Sequence, residues 1–226
     1  MKYIAPIQGT LAIKYSADET SPPSGILMRD LVNFTGTEYQ FSIKPEVPPG
    51  LMVNPTFTFQ SGIAVMGDQK VPITQLTLTV GGTAITAKTT DLADAVMKDF
   101  VDRVDTALGY SIANNIRERY YQSSIMVEFA PGLERQIASF ERAQKVLESE
   151  IRRHDGPFYL KRLAFGSGEG SQIPGLFTID DIPRSDFTIE RRAGEPAALN
   201  RYFCSAPLPT EALIRVLGLV ENAMGN

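Results

Sequence analysis

The chain has 226 residues, 43% of them hydrophobic, with 26 acidic side chains against 22 basic ones and a net charge of −4. That is enough apolar material for one large core or two small ones, while the balanced charge excludes a global field that would draw in nucleic acid or acidic membranes. The single cysteine, Cys204, excludes an intrachain disulfide and a thiolate zinc cage, and it fits a reducing compartment.

The opening stretch MKYIAPIQGTLAIKYSADE has one early lysine, but Pro6, Gln8, Gly9 and Thr10 interrupt its apolar residues. It reads as a strand over Gly9 to Tyr15 rather than as a secretory signal. Nowhere does the chain approach the run of about 18 apolar residues that a membrane-spanning helix needs. A soluble, cytoplasmic protein without membrane contact is expected.

SADETSPPSG has the composition of a loop. Ser24 then caps a helix over ILMRDLVNF, where Leu27, Met28, Leu31, Val32 and Phe34 follow helical spacing and Gly36 is the expected stop. EYQFSIKPEV alternates as a strand until PEVPPG breaks it. TFTFQ, GIAVM, VPITQLTLTV and GTAITAK are rich in residues that suit a pleated surface, with turns expected at Gly67-Asp68 and Gly81-Gly82. Pro72, lacking an N–H, belongs at a strand start or edge. TDLADAVMKDFVDRVDTALG carries a continuous apolar stripe and reads as a helix capped by Thr90 and stopped by Gly109. Its acids, Asp91, Asp94, Asp99, Asp102 and Asp105, read as a solvated face.

In the second half, RERYYQSSIMVEF alternates as a strand through Ile125, Val127 and Phe129. PGLERQIASFERAQKVLESEIRRH reads as a long helix with a seam of Leu133, Ile137, Phe140, Gln144, Leu147 and Ile151. The seam faces either its own sheet or another chain, and Glu141–Lys145 and Glu148–Arg152 support the helix surface. FYLKRLAF, DFTIERR and RYFCSA read as strands, and Thr210 caps a final helix over EALIRVLGLVENAM. The expected fold class is therefore α+β, with mostly antiparallel sheets and about four helices. The chain is expected to form one compact unit, 1–226, within which residues 1–112 and 113–226 read as two related strand-helix-strands-helix modules. A single sheet with a chance order of elements is the alternative.

Chemistry-bearing patterns are incomplete. FGSGEGSQIPG places Gly166, Gly168 and Gly170 after a strand but lacks the Lys-Ser/Thr ending and the following helix of a phosphate loop. His154, the single histidine, ends a helix, where a cation suits the dipole, and no Gly-x-Ser-x-Gly elbow supplies a nucleophile for it. Asp180, Asp181, Asp186 and Glu190 cluster in sequence without a calcium-loop spacing. No cofactor motif appears.

Arginine usage is the sharper signal. Residues 1–113 contain 2 Arg and 6 Lys, whereas residues 114–226 contain 12 Arg and 2 Lys, accompanied by 15 carboxylates. Arg offers a planar donor fork for carboxylates and phosphates. In DFTIERRAGEP, strand alternation sends Phe187, Ile189 and Arg191 to one face and Thr188, Glu190 and Arg192 to the other. Candidate binding residues are Arg117, Arg119, Arg162, Arg191, Arg192, Arg201 and Tyr202, with Tyr120 and Tyr121 as further stacking groups. The leading expectation is a non-catalytic protein-interaction or assembly subunit with a protein partner or a homo-oligomeric state. The alternatives are nucleic-acid or nucleotide binding by the Arg-rich half, and a carboxylate-dependent metal hydrolase using Asp180, Asp181, Asp186 or Glu190.

Overall fold

A computed structural model describes residues 1–20, 28–47, 55–130, 132–133, 145–147, 160–165, 186–194, 196 and 199–225. Ser24, Leu27, the seam residues between Leu133 and Leu147 and beyond, His154, the 166–185 connection, Asp180 and Asp181 lie outside them. Of the seam, Leu133 is fully buried and Leu147 is exposed.

Among the described residues the elements run β1 (Lys2–Tyr15), α1 (Ala17–Thr20), α2 (Met28–Glu38), β2 (Thr56–Met66), β3 (Gln69–Thr79), β4 (Gly82–Ala87), α3 (Thr90–Leu108), β5 (Ile116–Glu128), β6 (Arg162–Phe165), β7 (Phe187–Arg191), β8 (Arg201–Ala206) and α4 (Thr210–Gly225). The registered strand pairs are antiparallel, and the class is α+β. No helix among the described residues is long and apolar enough to cross a membrane. Contacts divide the chain into two compact units: an N-terminal unit built on Gln8–Ser123, and a C-terminal unit that takes in Met1–Ile7 with the described residues from Ser124 onward.

In the N-terminal unit the strand order is β2-β3-β4-β1. Phe59, Leu76, Ile85 and Leu11 lie opposite one another along one row, and Phe57, Leu78, Thr83 and Ile13 along the next. This inward face packs against Leu31 and Val32 of α2 and against Ala93, Val96, Met97, Phe100, Val101 and Val104 of α3. At Ser61, which takes a left-handed φ of 55°, the inward set switches from Phe57 and Phe59 to Gly62 and Ala64. β3 switches in step, from Leu76 and Leu78 to Val71 and Ile73, so the pairing register is kept.

Several local expectations need correction. Residues 17–20 form a short helix inside what reads as a loop. Gly36 does not stop α2 but lies buried within it, where a Cβ would come 3.3 Å from the Lys44 side chain and 3.4 Å from Phe59. EYQFSIKPEV is not a strand: after the helix, Gln40 turns at φ 47° and the chain makes a single bridge between Ile43 and Gln60. The β3–β4 turn falls on Val80-Gly81, with Thr79 opposite Gly82. Thr89, not Thr90, caps α3, its hydroxyl accepting the Leu92 N–H at 3.3 Å, and Gly109 ends the helix at φ 71°. The acids of α3 are only partly solvated. Asp94 pairs with Arg119, Asp99 holds Arg103 and the Tyr39 hydroxyl, and Asp105 accepts the N–H groups of Ile112 and Ala113.

Tyr15 is buried with its hydroxyl 3.1 Å from that of Thr83. Burial pushes its ionisation up to about 12 from an ordinary 10, a rise the Thr83 hydrogen bond partly opposes. A raised folded-state value means that the unfolded chain loses its proton first. Stability is therefore complete below pH 10 and falls between pH 10 and about 12. Two pH units at about 1.4 kcal/mol each give a loss of roughly 3 kcal/mol. Tyr39, raised in the same direction chiefly by burial, adds to it. Denaturant midpoints measured across that window test this expectation; a flat profile contradicts it.

In the C-terminal unit the order is β5-β8-β7-β6. The Phe129 N–H donates to the Asn200 carbonyl at 3.1 Å and the Ser124 hydroxyl to that of Ser205 at 3.2 Å, which fixes β5 antiparallel to β8. Alternation in β5, β7 and β8 buries Ile125, Val127, Ile189, Tyr202, Cys204 and Ala206, and these join Phe129, Leu133 and Leu213 and Leu217 of α4 in one core.

Candidate interaction face

The period-2 pattern that buries one side of the C-terminal sheet presents the other. The β7–β8 register sets Thr188 against Ser205 and Glu190 against Phe203, which brings Arg192 opposite Arg201. The Arg192 N–H donates to the Arg201 carbonyl at 3.1 Å, as that pairing requires. On the far side of β7, Arg162 lies opposite Glu190 and Ala164 opposite Thr188. On the far side of β8, the β5 register brings Met126 opposite Phe203 and Glu128 opposite Arg201. One face thus carries Arg162, Glu190, Phe203 and Met126 in one row and Arg192, Arg201 and Glu128 in the next. Arg162 and Arg192 are exposed and the other five are half-buried. The Arg192 guanidinium reaches the Met126 sulfur at 3.1 Å. The helix described for this unit, α4, buries Leu213 and Leu217 with the residues of the opposite face.

The remaining candidate residues lie elsewhere. Arg191 points to the core side, its guanidinium carbon 4.9 Å from the centre of the Tyr202 ring and its Nη2 donating to the Tyr202 hydroxyl at 2.8 Å. Tyr202 is 1% exposed; its oxygen also accepts the Leu133 N–H at 3.3 Å, and its ring meets Phe129 edge-on at 5.5 Å. A ring so enclosed serves the core and offers no plane for a base to stack on. Arg117 and Arg119 belong to the N-terminal unit, where they pair with Glu19 at 2.9 Å and Asp94 at 3.0 Å. Both pairs are about half exposed and contribute little to stability. Tyr121 packs against the N-terminal core, and Tyr120 is exposed.

Met126, Glu128 and Phe203 are members of the face that the arginine pattern does not single out. Their signal is the phase of the strands: each occupies the position out of step with a buried neighbour, Ile125, Val127 or Cys204.

Other chemistry is limited. Cys204 is fully buried and desolvation pushes its thiol up to about 12, so at neutral pH it is a packed, protonated group rather than a nucleophile. Among the described residues no three His, Cys, Asp or Glu side chains converge as a metal site. Asp186 is exposed, and Glu190 takes its place in the charged face.

No protein-family model matches the chain, and no curated protein matches it. What the geometry defines is an α+β protein whose C-terminal unit has one sheet face built from arginine, glutamate, methionine and phenylalanine.

Proposed function

We propose that the chain is a non-catalytic interaction or assembly subunit, and that it binds a protein partner or a second copy through the Arg162, Arg192 and Arg201 face of the C-terminal sheet. The observation that carries this reading is the make-up of that face. Arg, Met and Phe are the residues enriched in protein contact surfaces, and an antiparallel sheet covered on one side offers them on a flat platform. Three guanidinium groups interleaved with the carboxylates of Glu128 and Glu190 suit the mixed charge of a protein surface. A polyanion calls for a net basic footprint, which this near balance does not supply. Arg191 and Tyr202 support the platform from behind. A cytosolic setting fits the single buried cysteine.

The same proposal treats the two units as related modules. Each sheet places its first strand beside its fourth and runs back through the third to the second. Each fourth strand then leads into a helix, Thr90–Leu108 in one and Thr210–Gly225 in the other.

Isolation of the full chain at native expression, beside the variant Arg162→Glu, Arg192→Glu, Arg201→Glu, tests the function. The wild type is expected to retain a stoichiometric protein, and the variant to lose it by about tenfold or more, which corresponds to at least about 1.4 kcal/mol. Equal retention by a folded variant overturns the proposal. Nucleobase absorbance that co-purifies and is stripped by salt would replace it with the nucleic-acid reading.

A further inference from the structure

β2 is the edge strand of the N-terminal sheet, and its composition leaves it unguarded. The eleven residues TFTFQSGIAVM contain no charge and no proline, and Ile63 and Val65 are 38% and 39% exposed. Long, uncharged, apolar edges pair readily with another strand, and proteins normally blunt them with lysine, proline or a short edge.

Here the protection comes from outside the strand. Immediately after α2, residues Tyr39 to Ile43 run along β2. Ile43 exchanges both backbone hydrogen bonds with Gln60, at 3.0 and 3.2 Å, and the Ser42 N–H donates to the Ser61 carbonyl at 3.1 Å. The Tyr39 carbonyl accepts the Ile63 N–H at 2.8 Å. Beyond the reach of this strap, the outward-pointing Val65 carbonyl accepts Nη2 of Arg103 at 3.0 Å. That guanidinium is fixed by three further bonds: Nε donates to both carboxylate oxygens of Asp99, at 3.0 and 2.9 Å, and Nη1 to Glu38 at 2.9 Å. Asp99 also accepts the Tyr39 hydroxyl at 2.9 Å. Tyr39 thus serves the edge through its carbonyl and the arginine through its ring, so strap and guanidinium are held as one network.

We propose that the Tyr39–Ile43 strap and Arg103 form an edge lock that prevents β2 from adding a strand of a second copy of this chain. The side-chain half of the lock is the part a mutation can open. Arg103→Met keeps the aliphatic stem but releases the Val65 carbonyl and the Tyr39 network. In sedimentation velocity, this variant is expected to shift to higher coefficients with rising concentration, beyond any shift of the wild type. Val65→Pro added to it removes an outward N–H that a new strand needs, and is expected to abolish the excess shift. Val104→Ala, which destabilises the same helix without touching the edge, is expected to sediment as the wild type does. Glu38→Gln loosens one anchor of Arg103 from a half-exposed position and is expected to shift in the same direction, which serves if Arg103→Met does not fold. The proposal fails if the folded Arg103 and Glu38 variants sediment as the wild type, if Val104→Ala associates equally, or if Val65→Pro does not suppress the effect.

Discussion

Replacing Gly9 with alanine is expected to destabilise the protein by about 3 kcal/mol or more, at the top of the range for overpacking a core. Gly9 lies in β1 opposite Ala87, the last residue of β4, just before the chain turns into α3. A Cβ at Gly9 would stand 2.1 Å from the Thr90 nitrogen, 2.2 Å from the Thr89 carbonyl carbon and 2.8 Å from the Thr89 Cα. All three are backbone atoms, so no rotamer change relieves the clash. Relief requires moving Thr89, whose hydroxyl caps α3, and the cost extends to the helix that covers the sheet. Gly218 is the internal contrast: a Cβ there meets nothing within 4 Å in α4, so Gly218→Ala is expected to be neutral or to stabilise by up to about 1 kcal/mol. Urea titrations of both variants make the comparison. A Gly9→Ala protein within about 1 kcal/mol of the wild type would contradict the close approach of β1 to the start of α3.

Tyr202→Ala is expected to lose about 3 to 5 kcal/mol, the range for truncating a fully buried aromatic. The ring fills the C-terminal core against Phe129, and its hydroxyl joins Leu133 and Arg191, so truncation leaves a cavity and strands both donors. Tyr202→Phe separates the two contributions, since it keeps the ring and removes only the acceptor; about 1 to 3 kcal/mol is expected from that loss. On the opposite face, Arg162→Ala is expected to fall within about 0.5 kcal/mol of the wild type, as exposed substitutions do. The contrast separates scaffold from contact surface. If Tyr202→Ala were as mild as Arg162→Ala in thermal or denaturant unfolding, Tyr202 would not be the core residue its burial indicates.

The features legible in the sequence were those set by local periodicity. The apolar stripe of α3 is a covalent pattern read out at 3.6 residues per turn, and the helix forms over nearly the span expected. Alternation in β7 likewise separates Arg191 from Arg192, because a strand must send successive side chains to opposite faces. What failed depends on distant partners. Tyr39 and Phe41 alternate with polar residues as a strand would, yet Gln40 is left-handed between them and the segment becomes a strap beside β2. Gly36 looks like a stop, but close packing beside Phe59 and Lys44, not chain termination, is its role. In β1, Pro6, Gln8 and Gly9 interrupt the apolar residues Tyr3, Ile4, Ala5 and Ile7, so the first half of the strand, exposed or half-buried, shows no clean alternation.

For the interaction face, sequence suggested the arginines but not their company. The opposition of Arg192 to Arg201, and of Arg201 to Glu128, depends on the register of β7 with β8 and of β8 with β5, neither of which is written in the strands themselves. Arg117 and Arg119 found carboxylates in elements far from them in the chain, Glu19 and Asp94. The amphipathic character of Tyr202 fits a stacking platform and a core equally well; only burial decides between them.

The most direct test of the functional reading is side-chain labelling by hydroxyl radicals of the native assembly and of the purified chain, with Met126 and Phe203 as reporters. Both are half-buried and belong to the charged face, Phe203 opposite Glu190 and Met126 against the Arg192 guanidinium. The interaction reading expects their labelling to fall in the assembly while that of exposed Tyr3 and Tyr120 holds constant. Unchanged labelling of Met126 and Phe203 in an assembly that contains a bound protein would contradict it.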